Sequence, residues 1–156
     1  IAERCEAFGM DVVYSGRTKK ADVSYFYYDD PKVMAEECDF LVLACSGGPE
    51  TRHLVNVDVL HALGPRGFLI NVARGSVVDE EALLIALRNK DIAGAGLDVY
   101  ENEPHVPESL FAMDNVVLLP HIGSATVETR TAMAKLVIEN LLAHFSGDQL
   151  KTVVTG

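Results

Sequence analysis

The chain has 156 residues, 49% of them apolar and 23% charged, with 23 acidic against 13 basic side chains and a formal net charge of −10. Such a composition supports one real core and is too apolar for disorder. The acidic balance argues against nonspecific binding to nucleic acid or to an anionic membrane, so an anionic ligand must be held by local basic groups. The three cysteines, Cys5, Cys38 and Cys45, are odd in number and form no CxxC pair, which reads as reduced thiols in a cytoplasmic protein. The five histidines suggest no metal-ligand cluster. No apolar run approaches the ~18 residues of a membrane span, and Glu3 and Glu6 interrupt what would otherwise resemble a signal peptide.

In chain order, residues 1–8 read as the end of a helix closed by Gly9. An α/β nucleotide-binding domain begins with a strand and a glycine-rich turn before such a helix; neither is read here, so the expectation is that these residues are part of a longer chain. Strands are predicted at 11–14, 39–45, 67–72, 92–99 and 115–119, apolar on both faces as in parallel sheets covered by helices. Short helices are predicted at 31–37, 57–63 and 80–89. Asn56 and Asp79 are N-caps followed by acidic first turns, and Gly64-Pro65 ends the helix over 57–63. The longest helix, over 125–146, carries Met133, Leu136, Val137, Leu141, His144 and Phe145 at helical spacing, a row suited to core or subunit packing. Gly147-Asp148 breaks it, and 149–156 reads as chain leaving the domain. The alternation of strands and helices predicts a doubly wound parallel α/β sheet with right-handed crossovers.

Polar residues that carry chemistry follow the apolar runs, at the sheet edge where α/β proteins bind ligands. Arg74 lies in Asn71-Val72-Ala73-Arg74-Gly75 and offers a planar fork for a carboxylate. Glu103 lies in the segment Gly96-Leu97-Asp98-Val99-Tyr100-Glu101-Asn102-Glu103-Pro104, and Glu101 is its rival. His121 lies in Pro120-His121-Ile122-Gly123-Ser124 and can move a proton near neutral pH. Asp98 ends an apolar run, where a charge is costly unless it is paired or faces a ligand.

Together these motifs resemble the D-isomer-specific 2-hydroxyacid dehydrogenases, nearer their glyoxylate and hydroxypyruvate reductase branch, over nearly the whole chain from Ile1 to Thr152. The resemblance implies a Rossmann-type NAD(P)-binding domain over 1–147, incomplete at its N-terminus. Residues 148–156 would then return toward a substrate domain that is otherwise absent. It further implies that His121 is the general acid for carbonyl reduction and that Glu103, directly before proline, supports it. Arg74 would bind the substrate carboxylate and polarise its carbonyl. Asp98 would bond the nicotinamide carboxamide, with Val72, Ala73, Gly123 and Ser124 also beside the cofactor.

The stretch Ser15-Gly16-Arg17-Thr18-Lys19-Lys20 falls where the adenosine ribose is expected. NAD selectivity usually needs a carboxylate there; the three cations Arg17, Lys19 and Lys20, with Ser15 and Thr18 beside them, instead suit a ribose 2′-phosphate, so NADP(H) is the expected cofactor and NAD(H) the alternative. In 45–51, Ser46 and Gly48 stand where the family carries proline and threonine, whereas Thr51 matches. The implied activity is reduction of a small 2-oxoacid, glyoxylate or hydroxypyruvate, by a homodimer. The alternatives are another substrate (phosphoglycerate, lactate, a gluconate-type or aromatic 2-oxoacid) or a non-catalytic NAD(P)-sensing scaffold like the corepressors built on this fold.

Overall fold

The computed structural model describes residues 1–154; the last two residues of the expected return segment lie outside the described residues. The chain divides into two compact units, Ile1–Pro120 and His121–Gly156.

The first unit opens with α1 (Ala2–Ala7), closed by Gly9 in the left-handed region at φ 75°. β1 (Val13–Ser15) and β2 (Phe26–Tyr28) pair in parallel, with the Tyr14 and Tyr27 rings 5.1 Å apart. α2 (Pro31–Glu36) starts with Pro31 in its first turn and with Asp30 accepting from the Lys32 amide at 2.8 Å. The remaining elements are β3 (Phe40–Leu43), α3 (Val57–Leu63), β4 (Phe68–Asn71), α4 (Glu80–Asn89), β5 (Gly94–Leu97), α5 (Glu108–Phe111) and β6 (Val116–Leu118). Asn56 caps α3 through the Asp58 and Val59 amides and Asp79 caps α4 through the Ala82 amide, as their side-chain chemistry predicts. Gly64 ends α3 at φ 74°.

β3, β4, β5 and β6 form a parallel four-stranded sheet in that order, and β1 and β2 form a separate two-stranded one. The doubly wound α/β architecture is as expected, with its sheet in two pieces. The register places Leu41, Leu69, Ala95 and Val116 in one row and Leu43, Asn71, Leu97 and Leu118 in the next row on the same face. This face meets the core supplied by Val59, Leu60 and Leu63 of α3 and Leu83, Ala86 and Leu87 of α4. The opposite face carries Phe40 stacked on Phe68, then Val42, Ile70 and Val117; it is apolar too, but its phenylalanines and Val117 are exposed. Gly94 sits beside that stack because a Cβ there would lie 2.4 Å from the Asn115 carbonyl oxygen.

The strands are shorter than the apolar runs that predicted them. The runs at 39–45, 67–72 and 92–99 leave the ladder at Leu43, Asn71 and Leu97, and their ends become the loops that carry the candidate site. β2 and α5 were not predicted. Each is three or four residues long, too short to show a period.

The second unit is dominated by α6 (Val127–Ser146), capped by Thr126 on the Thr129 amide and closed by Gly147 at φ 76°. Asn140 of α6 bonds the Lys151 and Thr152 amides, so the first residues after the helix fold back on it. Its predicted apolar row is exposed, Phe145 by 83% and Met133 by 61%, and no residue of the helix is buried. Among the described residues, no helix is long and apolar enough to cross a membrane.

Candidate active site

Loops leaving the carboxyl ends of β3, β4 and β5 are fastened to one another. Backbone bonds from His53 N to the Ser76 carbonyl (2.8 Å), Val55 N to the Val77 carbonyl (3.0 Å) and Asp79 N to the Val55 carbonyl (2.9 Å) join the first loop to the second. The second meets the third at Gly75. A Cβ at this position would lie 1.9 Å from the Tyr100 carbonyl carbon and oxygen, so only glycine allows the two backbones to touch.

Arg74 sits on a tightly specified turn. Buried Asn71 at the end of β4 accepts from the Ala73 amide (3.0 Å) and donates to the Arg74 carbonyl (3.1 Å), satisfying both ends of its amide group. The Arg74 stem runs over Gly47, where a Cβ would come within 2.8 Å of its Cγ. Its Nη1 donates to the Ala73 carbonyl at 2.6 Å, while the residue as a whole is exposed. Glu103 is exposed as well, and its Oε1 accepts from the Tyr100 amide at 3.1 Å. The Tyr100 hydroxyl donates to the Leu119 carbonyl at 2.9 Å, and burial raises its pKa above the ordinary tyrosine value. Asp98 is 4% exposed, its amide bonded to the Asn71 carbonyl at 3.0 Å, so a carboxylate stands in nearly dry surroundings at the end of β5.

The other candidates of the first unit lie on loops. Ser15 ends β1 half-buried, and Arg17 and Thr18 after it are exposed. The Arg17 guanidinium lies 3.5 Å from the Glu50 carboxylate, a pairing that its position in the sequence does not suggest. The Thr51 hydroxyl donates to the Ser46 carbonyl at 2.8 Å and so folds the loop after β3 back on itself, with exposed Ser46 at its start. Val72 is exposed and Ala73 buried. In the second unit, exposed His121 adopts φ 55°, a left-handed backbone uncommon for a residue with a side chain. Exposed Gly123 and Ser124 follow it.

The first unit thus brings the Arg74, Asp98, Glu103 and Thr51 loops into one interlocked edge. His121, Gly123 and Ser124 belong to the second unit. The donor set at the end of β1, a guanidinium and hydroxyls with no carboxylate of its own, fits a phosphate better than a bare ribose diol. Sequence reasoning missed Asn71, Gly47 and Gly75. The signal available for Asn71 was a polar residue closing an apolar run; Gly47 and Gly75 needed the third dimension. It also missed a cluster of Arg52, His53, Glu80 and Glu101 under this edge.

The family model for the D-isomer specific 2-hydroxyacid dehydrogenase, NAD binding domain, matches residues 1–123. The chain belongs to this family. A hydroxyphenylpyruvate reductase of Plectranthus scutellarioides is 54% identical over 154 residues, covering 99% of this chain and 49% of that protein. A glyoxylate/hydroxypyruvate reductase A of Arabidopsis thaliana matches with the same identity and coverage, 54%, 99% and 49%. The crystal structure of an NADPH-dependent glyoxylate/hydroxypyruvate reductase from Sinorhizobium meliloti, in complex with NADP and malonate, superposes with a TM-score of 0.96 at 52% identity, over 99% of this chain and 48% of that one. The chain therefore spans about half the length of the curated relatives it matches.

Proposed function

We propose that this chain is the cofactor half, residues 1–147 with a return segment from 148, of a longer cytoplasmic, homodimeric reductase that uses NADPH in preference to NADH and acts on a small 2-oxoacid such as glyoxylate or hydroxypyruvate. The observation that carries this reading is the packing of the Arg74 loop against the Glu103 loop at Gly75, in a member of the 2-hydroxyacid dehydrogenase family. A strand from the rest of the full-length protein would join β1 and β3, whose sheets are separate here.

When held by these residues, a nicotinamide cofactor would supply the hydride for C2 of the substrate. Arg74 grips the substrate carboxylate with its fork and draws electron density from the adjacent carbonyl, stabilising charge as it develops. His121 gives a proton to the carbonyl oxygen and takes it back in the reverse direction. Glu103, whose Oε1 accepts from the Tyr100 amide, would be the carboxylate that supports His121, as the family resemblance implies. Asp98 would accept from the nicotinamide carboxamide. Arg17, Ser15 and Thr18 would take the ribose 2′-phosphate, with Glu50 as the group that Arg17 would partly release. Ser46, Thr51, Val72 and Ala73 of the first unit, and by the family resemblance Gly123 and Ser124, would contribute to cofactor binding.

A panel of 2-oxoacids, including an aromatic one because one relative is a hydroxyphenylpyruvate reductase, assayed in the full-length protein with both cofactors tests the reading. His121→Ala should lose more than the ~10²–10⁴-fold usual for acid–base help, since no proton source remains. Normal turnover in that variant ends the assignment. Tight cofactor binding without turnover on any substrate favours the scaffold alternative.

A further inference from the structure

We propose that Glu101, acting with His53 and Arg52, is a positioning residue that clamps the loop carrying Glu103 to the loop carrying Thr51, across the intervening Arg74 loop. The inference rests on the reductase reading for its catalytic consequence, and on the geometry alone for the clamp.

One oxygen of Glu101, Oε1, accepts from Arg52 Nη2 at 2.9 Å and from His53 Nε2 at 2.8 Å. Both donors lie in the loop after β3, on the residues that follow Thr51. The backbone of Glu101 is held as well, its amide donating to Glu80 Oε2 at 3.2 Å in the first turn of α4. The other ring nitrogen of His53, Nδ1, lies 4.0 Å from Asp79 Oδ2, the carboxylate that caps α4. The imidazole is thus set between carboxylates from two different segments.

The backbone of His53 is specified in the same way. It adopts φ 50°, and its amide donates to the Ser76 carbonyl at 2.8 Å. A left-handed conformation outside glycine persists where the surroundings over-determine it, and the Glu101 bond supplies part of that determination. Between the two clamped loops lies Gly75, in backbone contact with Tyr100 and Glu101. Tyr100 in turn provides the amide that holds Glu103. A shift of Glu101 therefore moves the anchor of Glu103 at one end and the segment next to Thr51 at the other. The hydrogen bond and charge of His53, helped by Arg52, hold the Glu101 carboxyl below the usual glutamate range against the opposing effect of burial, which keeps the acceptor anionic.

The test uses the full-length protein with Glu101→Gln, His53→Asn and the double variant; asparagine tolerates the left-handed backbone. Hydrogen exchange should accelerate about tenfold or more in both 46–55 and 98–104 in each single variant, with β4 and β5 unchanged. Turnover of glyoxylate should fall about tenfold with its KM held within about twofold, because Arg74 is untouched and Glu103 is misplaced. The double variant should be no worse than the poorer single, as expected of one coupled unit. Unchanged exchange in either segment, normal kcat in Glu101→Gln, or losses that multiply in the double variant would each overturn the proposal. A wild-type protein inactive on every 2-oxoacid would instead sink the reductase reading, and the exchange data would still decide the clamp. If Glu101→Gln does not fold, Arg52→Gln, at the more exposed partner, carries the same test.

Discussion

Gly75 shows how little room the candidate site leaves at its centre. With a Cβ position 1.9 Å from the Tyr100 carbonyl, the residue after Arg74 must be glycine for the two loops to meet. Gly47 plays the same part for the arginine stem. At the other end of the site Arg17 tests the cofactor reading. Arg17→Asp should weaken NADPH binding by at least about tenfold and favour NADH, since a carboxylate repels the 2′-phosphate and accepts from a free ribose hydroxyl. Equal NADPH affinity in a binding titration would rule out the 2′-phosphate pocket.

Glu101 adds a pH dependence whose sign follows from its depressed pKa. A carboxyl with a folded pKa below its unfolded value stabilises the fold fully above the unfolded value, about 4.3, and loses that contribution as pH falls through the folded one. Glu101→Gln should therefore lower stability by about 1 kcal/mol at pH 7, with the gap closing as pH falls below the unfolded value and through the depressed folded one. Glu80, raised chiefly by burial, has the opposite sign: its contribution is present at low pH and is lost as pH rises. Urea midpoints of wild type and variant, subtracted at each pH, isolate Glu101; a gap that does not change with pH would contradict the assignment.

Among the elements, the helix caps are the most local determinants. Asn56 accepts from the Asp58 and Val59 amides at 3.0 and 3.2 Å, and α3 so begun presents Val59, Leu60 and Leu63 to the core. Asn56→Ala should destabilise by about 1 kcal/mol with an unchanged denaturant slope, read from urea unfolding. A midpoint equal to wild type would mean that tertiary packing alone sets the start of the helix. α6 behaves differently. Its cap and its C-terminal glycine are local, yet its apolar side chains are exposed in this chain, so its length follows from propensity and capping and its apolar surface is left for other packing.

For the whole molecule, the decisive facts are a sheet in two pieces and a span of about half the length of the relatives. The 156-residue chain by itself should reduce no glyoxylate in an NADPH-absorbance assay, whereas the full-length protein should. Turnover by the 156-residue chain would show that it carries a complete site by itself.

What the sequence determined by itself was the alternation of strands and helices apart from β2 and α5, the caps at Asn56 and Asp79, and the family, while Arg74, Glu103 and His121 are the site it proposes. Each of these is written in short-range chemistry: a run of apolar residues, a side chain next to the amides it caps, or a motif contiguous in the chain. Only the tertiary structure decided where the strands stop, that Arg17 faces Glu50, that Glu101 bonds Arg52 and His53, and that Gly75 lies against the Tyr100 backbone. These depend on groups far apart in the chain meeting within a few ångströms, and sequence spacing carries no record of such distances.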